Sequence, residues 1–424
     1  MKYNQSMKQE EQLRTLEELR QAYEGYKQQK LSLDMSRGKP CTEQLELSMG
    51  LLECNDNYMD QGIDVRNYGV LPGIPSARRL FASVLQVSSE EQVLVGGNSS
   101  LSLMYYLVDL GWRKGYPESP RPWSQEEKVK FLCPVPGYDR HFAITEDFGI
   151  EMIPIPLLED GPDMEQVERM VQEDSSIKGI WCVPVYSNPD GRVYSEDMTL
   201  RLAKMQAAAP DFKIIWDNAY CVHHLSDTQH ATPSIVEACA DAGHPNRAFA
   251  LTSTSKVTFP GAGVAAVASS AENIRYLIAR MNPMTISYDK MNQMRHVAYL
   301  KDTDGIREHM KKHREILWPK FQCVLNILKE ELAAFEEDAH WTNPEGGYFI
   351  SLFLMDGCAK RTVQLCAEAG VTLTPAGAAF PYGNDPKDSH IRIAPSYPSL
   401  QELETATKLL CLCAKIAMME KIAG

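Results

Sequence analysis

The sequence has no apolar run approaching the roughly 20 residues needed to cross a bilayer. Its first 30 positions are dense in Lys, Glu and Gln and hold no hydrophobic core of a secretion signal. The expected location is therefore the cytoplasm. Basic charge is also short. Lys and Arg number 43 against 56 Asp and Glu, a formal net charge of −13, so neither nucleic acid nor an anionic membrane is expected as a partner of the overall field. An anion could be held only in a local basic pocket. The 11 Cys include no Cys-x-x-Cys pair and no zinc-ribbon spacing, and an odd number cannot complete a disulfide framework. They read as buried reduced thiols, Cys411 and Cys413 in the apolar C-terminal segment among them. No internal repeat or low-complexity tract appears. The nearest approach to a metal site is the His223-His224 doublet beside Cys221 and Asp227. The stretch Leu225-Ser-Asp-Thr228 reads as a polar turn rather than a ligand-bearing helix face, and no metal is expected.

What is present is a chain of 424 residues, enough for two or three domains and a large core. Leu13, Leu16, Leu19, Tyr23 and Tyr26 recur at three- or four-residue spacing and predict an N-terminal amphipathic helix ending before Gly38-Lys39-Pro40. Gly and Pro punctuate Asn67 to Pro75, and helical spacing resumes from Arg78 to Leu85. Short apolar runs follow at Gln92–Val95, Val129–Cys133, Gly179–Val183, Lys213–Trp216, Ala248–Leu251 and Val264–Ala268, separated by longer helical or mixed segments. That alternation predicts an α/β domain with a mainly parallel sheet flanked by helices, its functional groups gathered at the carboxyl ends of the strands. A long helix is expected from His313 to Phe335. Strands at Tyr348–Leu354 and His390–Ile393 and a closing helix from Leu400 to Ile422 then form a smaller α+β unit. The expected organisation is an N-terminal arm and helix (1–55) contributing to the small unit, a large domain (56–310) and the small domain (311–424).

Several strand ends carry groups with chemical potential, and each also has a plainer reading. Lys256 follows a buried strand among small hydroxyl residues. Lys is seldom placed there without purpose, and a desolvated amine can form a Schiff base, although an exposed loop Lys would also fit. Asp217 ends the apolar run Lys213-Ile-Ile-Trp-Asp217, with the phenol of Tyr220 three residues on. A buried carboxylate there can keep a ring nitrogen protonated, or it can be a helix N-cap beside a core Tyr. Asn188 sits in an Asn-Pro-x-Gly turn at another strand end. In Gly96-Gly97-Asn98-Ser99-Ser100 a strand turns into a helix start, where free N–H groups, the helix dipole and two hydroxyls could cradle one phosphate. The segment lacks both the P-loop Lys and the dinucleotide Gly-x-Gly-x-x-Gly, and an ordinary Ser N-cap remains open. Tyr138, after Pro136-Gly137, could stack on a flat ligand or belong to the core. Arg392, inside an apolar strand, calls for a carboxylate partner, from a ligand or from the protein itself.

Taken in order, these pieces resemble the fold-type I pyridoxal phosphate aminotransferases over nearly the whole chain. The stretches Ser36-Arg-Gly-Lys-Pro40, Pro136-Gly-Tyr-Asp-Arg140 and Asp289-Lys-Met-Asn-Gln-Met-Arg-His296 are most similar to the bacterial aspartate aminotransferase branch called subgroup Ic. The resemblance implies pyridoxal 5′-phosphate as cofactor, bound as a Schiff base to Lys256, which then shuttles a proton between Cα and C4′. It implies that Asp217 pairs with the pyridinium nitrogen, that Asn188 and Tyr220 bond the ring hydroxyl, and that Tyr138 stacks on the ring. Asn98, Ser99, Ser100 and Ser253 would form the phosphate cradle, with Tyr68 reaching the phosphate of the partner subunit in a homodimer with shared sites. Arg392 would take the substrate α-carboxylate, with Gly38 leaving room beside it and Asn188 nearby. The implied reaction is ping-pong transfer of an amino group from L-aspartate, or a related amino acid, to 2-oxoglutarate.

One departure concerns the phosphate. Many relatives carry an Arg eight residues after the Schiff-base Lys, and here that position is Val264. The cation for a substrate side-chain carboxylate is equally open, with Arg37, Arg140 and Lys290 as candidates by position. Without one, a neutral or aromatic amino acid would be the better substrate. The scaffold also supports β-lyases and decarboxylases. A pyridoxal phosphate-sensing transcription regulator would need an added helix-turn-helix module and a basic surface.

Overall fold

A computed structural model describes residues 9–54 and 56–423; positions 1–8 and 55 of the expected N-terminal arm lie outside the described residues. The architecture is α/β. Its centre is an eight-stranded mixed sheet, in spatial order Val93–Val95, Ala265–Ala268, Ala248–Ser253, Lys213–Asp217, Ile177–Cys182, Lys130–Val135, Glu151–Leu158 and Gly161–Pro162. The pairings from Ala248–Ser253 through to Glu151–Leu158 are parallel, while Ala265–Ala268 runs antiparallel to both of its neighbours. Every residue of Ile177–Cys182 and Lys213–Asp217 is buried, as a parallel strand covered on both faces requires. Lys178 and Lys213 can lie within these strands because Asp211 (2.9 Å) and Glu118 (3.1 Å) take their ammonium groups.

Two apolar clusters cover the two faces of this sheet. A third joins Leu16 and Tyr23 of the N-terminal helix Gln9–Gln28, and Met35, to the C-terminal elements. There Leu33–Asp34 pairs in parallel with Val371–Thr372. A three-stranded sheet is built from His340–Trp341, Ile350–Phe353 and His390–Ile393, and the helix Leu400–Ala423 closes the chain. Among the described residues no helix is long and apolar enough to cross a membrane.

Two sequence expectations need correction. The strand Glu151–Leu158 was not anticipated, because Pro154 and Pro156 demote such a run; it pairs with Lys130–Val135 while both prolines face outward. The long helix begins at Thr303, ten residues before His313, and its last α-helical residue is Glu331, with a 3-10 turn over Ala333–Phe335. Its first turns are mainly charged, so the apolar repeat reads weakly there, yet Asp302 caps it by accepting from the Gly305 N–H at 2.8 Å. This 29-residue helix runs unbroken across position 310.

Candidate active site

Five loops at the carboxyl ends of neighbouring strands converge on one cavity of about 120 Å³. The turn after Val93–Val95 leads into the helix Ser100–Arg113 and supplies Ser99, Ser100 and Leu101. Tyr138 comes after Lys130–Val135 and Asn188 after Ile177–Cys182. Asp217 and Tyr220 come from the end of Lys213–Asp217, and Ser253, Ser255 and Lys256 from the end of Ala248–Ser253. A larger cavity of about 420 Å³ opens on the far side of the Asn218–Val222 segment, against the first turns of the 303–331 helix. Its arginines are paired, as in Arg314–Asp227 (2.6 Å) and Arg307–Asp304, and of the residues singled out in the sequence only Cys221, His224 and Asp227 line it.

Asp217 is 3% exposed. It is not a helix N-cap, since a turn follows it. One carboxylate oxygen lies 3.0 Å from His141 Nε2, and the other is buried without a protein partner. His141 is itself fixed by stacking on Trp181, with ring centroids 4.4 Å apart and planes 8° apart. Sequence reading missed His141. Its signal was its place in the first turn of the helix Asp139–Asp147, directly after the Tyr138 turn.

Lys256 Nζ has no hydrogen bond or ion pair among the described residues and lies 5.1 Å from the Tyr220 ring centre. The turn that carries it is held by buried imidazoles, which sequence reading also missed. His309 Nε2 donates to the Val257 carbonyl at 2.8 Å. Gln44, its carbonyl occupied by the Cys41 N–H, donates to His313 Nδ1, so the His313 proton sits on Nε2 and faces the same Val257 carbonyl. His223 Nε2 lies 3.3 Å from the Lys256 carbonyl. His296 donates through Nδ1 to the Asn292 carbonyl, leaving Nε2 to accept from the Thr254 and Thr258 hydroxyls at 3.0 and 2.9 Å. This gives the Asp289–His296 stretch a structural purpose, since Asn292 also ties down the Ala262 and Gly263 carbonyls. Burial pushes both His223 and His313 down to about 3, so both are neutral at physiological pH. The two halves of the His223-His224 doublet serve different partners, since His224 Nδ1 pairs with the Tyr186 hydroxyl at 2.6 Å.

On the opposite wall, burial raises the Tyr220 phenol and pushes Tyr138 up to about 12, keeping both protonated. Arg392 reaches across from the three-stranded sheet. Its Nη1 donates to Asp139 Oδ1 at 3.1 Å and Asn188 Oδ1 at 3.3 Å, and its Nε and Nη2 share the Thr374 hydroxyl. Its guanidinium lies 4.8 Å from the Phe349 ring centre. Gly38 packs against that ring so closely that a Cβ would sit 2.5 Å from Phe349 Cζ.

Not every candidate reaches the cavity. Asn98 is exposed and contributes its backbone carbonyl, which accepts from Ser255 Oγ at 3.0 Å. Arg37 and Arg140 are exposed and outside the lining, and Lys290 is buried at the start of another helix. Tyr68 is 83% exposed and also outside it. Val264 does not face the cradle either; its side chain belongs to the sheet core. The residue against the cradle is Gly263, where a Cβ would lie 3.2 Å from the Asn98 carbonyl oxygen and 3.3 Å from the Ser255 nitrogen. Spacing from Lys256 says nothing of which side chain points inward, and at 264 the side chain points into the core. Among the described residues, Lys256 is the one side-chain cation lining the cavity.

The aspartate amino-transferase family matches residues 7–424. A relative from Mycolicibacterium smegmatis, named as a candidate aminotransferase, is 49% identical over 93% of each chain. The aspartate aminotransferase of Corynebacterium glutamicum is 45% identical over 96% of this chain and 94% of its own. The crystal structure of an aspartate transaminase from Corynebacterium glutamicum superposes with a TM-score of 0.95 at 44% identity, covering 99% of both chains.

Proposed function

The chain belongs to the aspartate aminotransferase family, and from that premise we propose that it moves the amino group of L-aspartate to 2-oxoglutarate, giving oxaloacetate and L-glutamate. The fold is that of the fold-type I transferases. The family implies pyridoxal 5′-phosphate, which when bound supplies an electrophilic carbonyl and an electron sink. The residues present fit that group. Across one cavity stand an amine without a protein partner at Lys256, a buried carboxylate oxygen without a partner at Asp217, and a helix N-terminus with four Ser hydroxyls nearby. This juxtaposition carries the reading.

Asp217 Oδ1 is free to accept an N–H, and His141 holds its other oxygen so that the carboxylate cannot turn away. Tyr138 and Tyr220 flank the space with protonated phenols, and Asn188 offers its amide. Lys256 Nζ would take the proton from substrate Cα and deliver it to C4′ of the bound group within the same half-reaction, the second half-reaction running that transfer in reverse. Arg392 orients the α-carboxylate, and Phe349 supports the guanidinium from beneath. The amino acid and the oxo acid use the same site in turn. Tyr68, so exposed on a single chain, supports a homodimer in which it reaches the partner's site; the proposed location is the cytoplasm. An aromatic or neutral donor is the second reading, favoured by the exposure of Arg37 and Arg140 away from the cavity.

Transamination rates for L-aspartate and for the aromatic amino acids, each with 2-oxoglutarate, test the substrate. Faster turnover of aromatic donors would overturn aspartate. Lys256→Ala should lose both the visible absorbance of bound cofactor and turnover, and full turnover in that variant would overturn the site.

A further inference from the structure

Arg392 already holds a carboxylate. Its side chain is 10% exposed, and Asp139, at 3.1 Å from Nη1, is its anionic partner among the described residues. Thr374 and Asn188 complete the shell with neutral acceptors. A guanidinium this enclosed is costly without a counter-charge, and Asp139 supplies one. Yet an α-carboxylate that takes Nη1 and Nη2 together needs the Nη1 donor that Asp139 now uses.

We propose that Asp139 is an internal stand-in for the substrate α-carboxylate, seated on Arg392 between turnovers and displaced by each incoming acid. The proposal rests on the reading of Arg392 as the carboxylate site. The displaced group has somewhere to go. Asp139 is the first residue of the nine-residue helix Asp139–Asp147, whose N-cap Tyr138 gives no side-chain cap. The first-turn N–H groups and the positive end of the dipole therefore favour a carboxylate that turns outward. Its side chain is 33% exposed even when paired, so the path to solvent is open. Binding then exchanges one carboxylate for another at constant charge. Apparent affinity is lowered by the fraction of sites in which Asp139 occupies Arg392, and a ligand without a carboxylate gains nothing by entering.

The test is calorimetric titration of the holoenzyme with succinate, a dicarboxylate that cannot react, alongside KM and kcat for both substrates. Asp139→Asn keeps the shape and removes the competing charge. Succinate should bind it about tenfold more tightly, the factor that a pairing preference of about ten to one withholds, with KM for L-aspartate and 2-oxoglutarate falling alike and the change seen in KM rather than kcat. Asp139→Ser is the second variant, and near-wild-type circular dichroism establishes that each is folded. Unchanged or weaker succinate binding in both folded variants overturns the exchange. Arg392→Met separates the two layers. If it keeps wild-type succinate affinity, the Arg392 assignment falls and the exchange with it. If it loses affinity while the Asp139 variants gain none, only the exchange falls.

Discussion

Acidification to pH 5.5 should cost this protein a large share of its stability, and the size follows from three imidazoles. His223, His313 and His390 are buried, and burial pushes each from 6.5 down to about 3. Between those values the unfolded chain takes up a proton at each site and the folded chain does not. Stability is thus fully present above pH 6.5 and declines as pH falls toward 3. One proton per pH unit is worth about 1.4 kcal/mol. From pH 7.5 to 5.5 each site crosses one full unit below 6.5, so three sites together lose roughly 4 kcal/mol. Any folded value below about 4.5 gives the same loss. Set against the 5–15 kcal/mol typical of folded domains, this is a visible effect. Urea unfolding of the holoenzyme at the two pH values, at fixed protein and saturating cofactor, measures it. His313→Gln should lower stability at both pH values yet shrink the difference between them by about a third. A midpoint equal at pH 7.5 and 5.5, or a difference undiminished in His313→Gln, would refute the reasoning.

Two further outcomes follow from contacts in the site. Gly38→Ala places a Cβ 2.5 Å from Phe349 Cζ, so the ring must shift and take Arg392 with it. About 1–3 kcal/mol of stability should be lost, and steady-state kinetics should show KM rising by about tenfold; an unchanged KM would mean that the ring does not position the guanidinium. His141→Ala strips the Asp217 carboxylate of its protein partner. A loss of about 2 kcal/mol or more is expected in thermal unfolding, partly recovered when Asp217→Asn is added, and equal losses in the single and double variants would deny the coupling.

Much of the site was legible because its residues are strand-end residues. Strands such as Lys213–Asp217 and Ala248–Ser253 announce themselves by continuous apolar runs, so Asp217 and Lys256 stand out as polar groups where the run stops. Arg392 stood out in the same way inside His390–Ile393. The supporting residues have no such contrast. His309 and His313 lie on a helix 53 and 57 positions beyond Lys256, and nothing local connects them to it. His141 becomes meaningful only once its helix is laid beside Asp217. Asp139 was invisible for the same reason, because its partner is 253 residues away. At Val264 spacing alone could not tell that the side chain turns to the core while Gly263 meets the cradle.

The helix Thr303–Glu331 would be about 44 Å long as a straight rod, and its two ends grip different things. Near its start His309 and His313 hold the carbonyl beside Lys256, while Phe321, Val324 and Leu328 farther along are anchored in the C-terminal core. Pro319 stands between His313 and Phe321, two residues after Leu317, which already packs in that core; it has no N–H for the carbonyl four residues before it and crowds that turn. The missing backbone bond thus falls where the helix already packs against the C-terminal core, six residues past His313. One continuous helix thus steadies the turn that carries Lys256 near its start and holds, farther along, the C-terminal core that contains the strand neighbours of Arg392, Ile391 and Ile393.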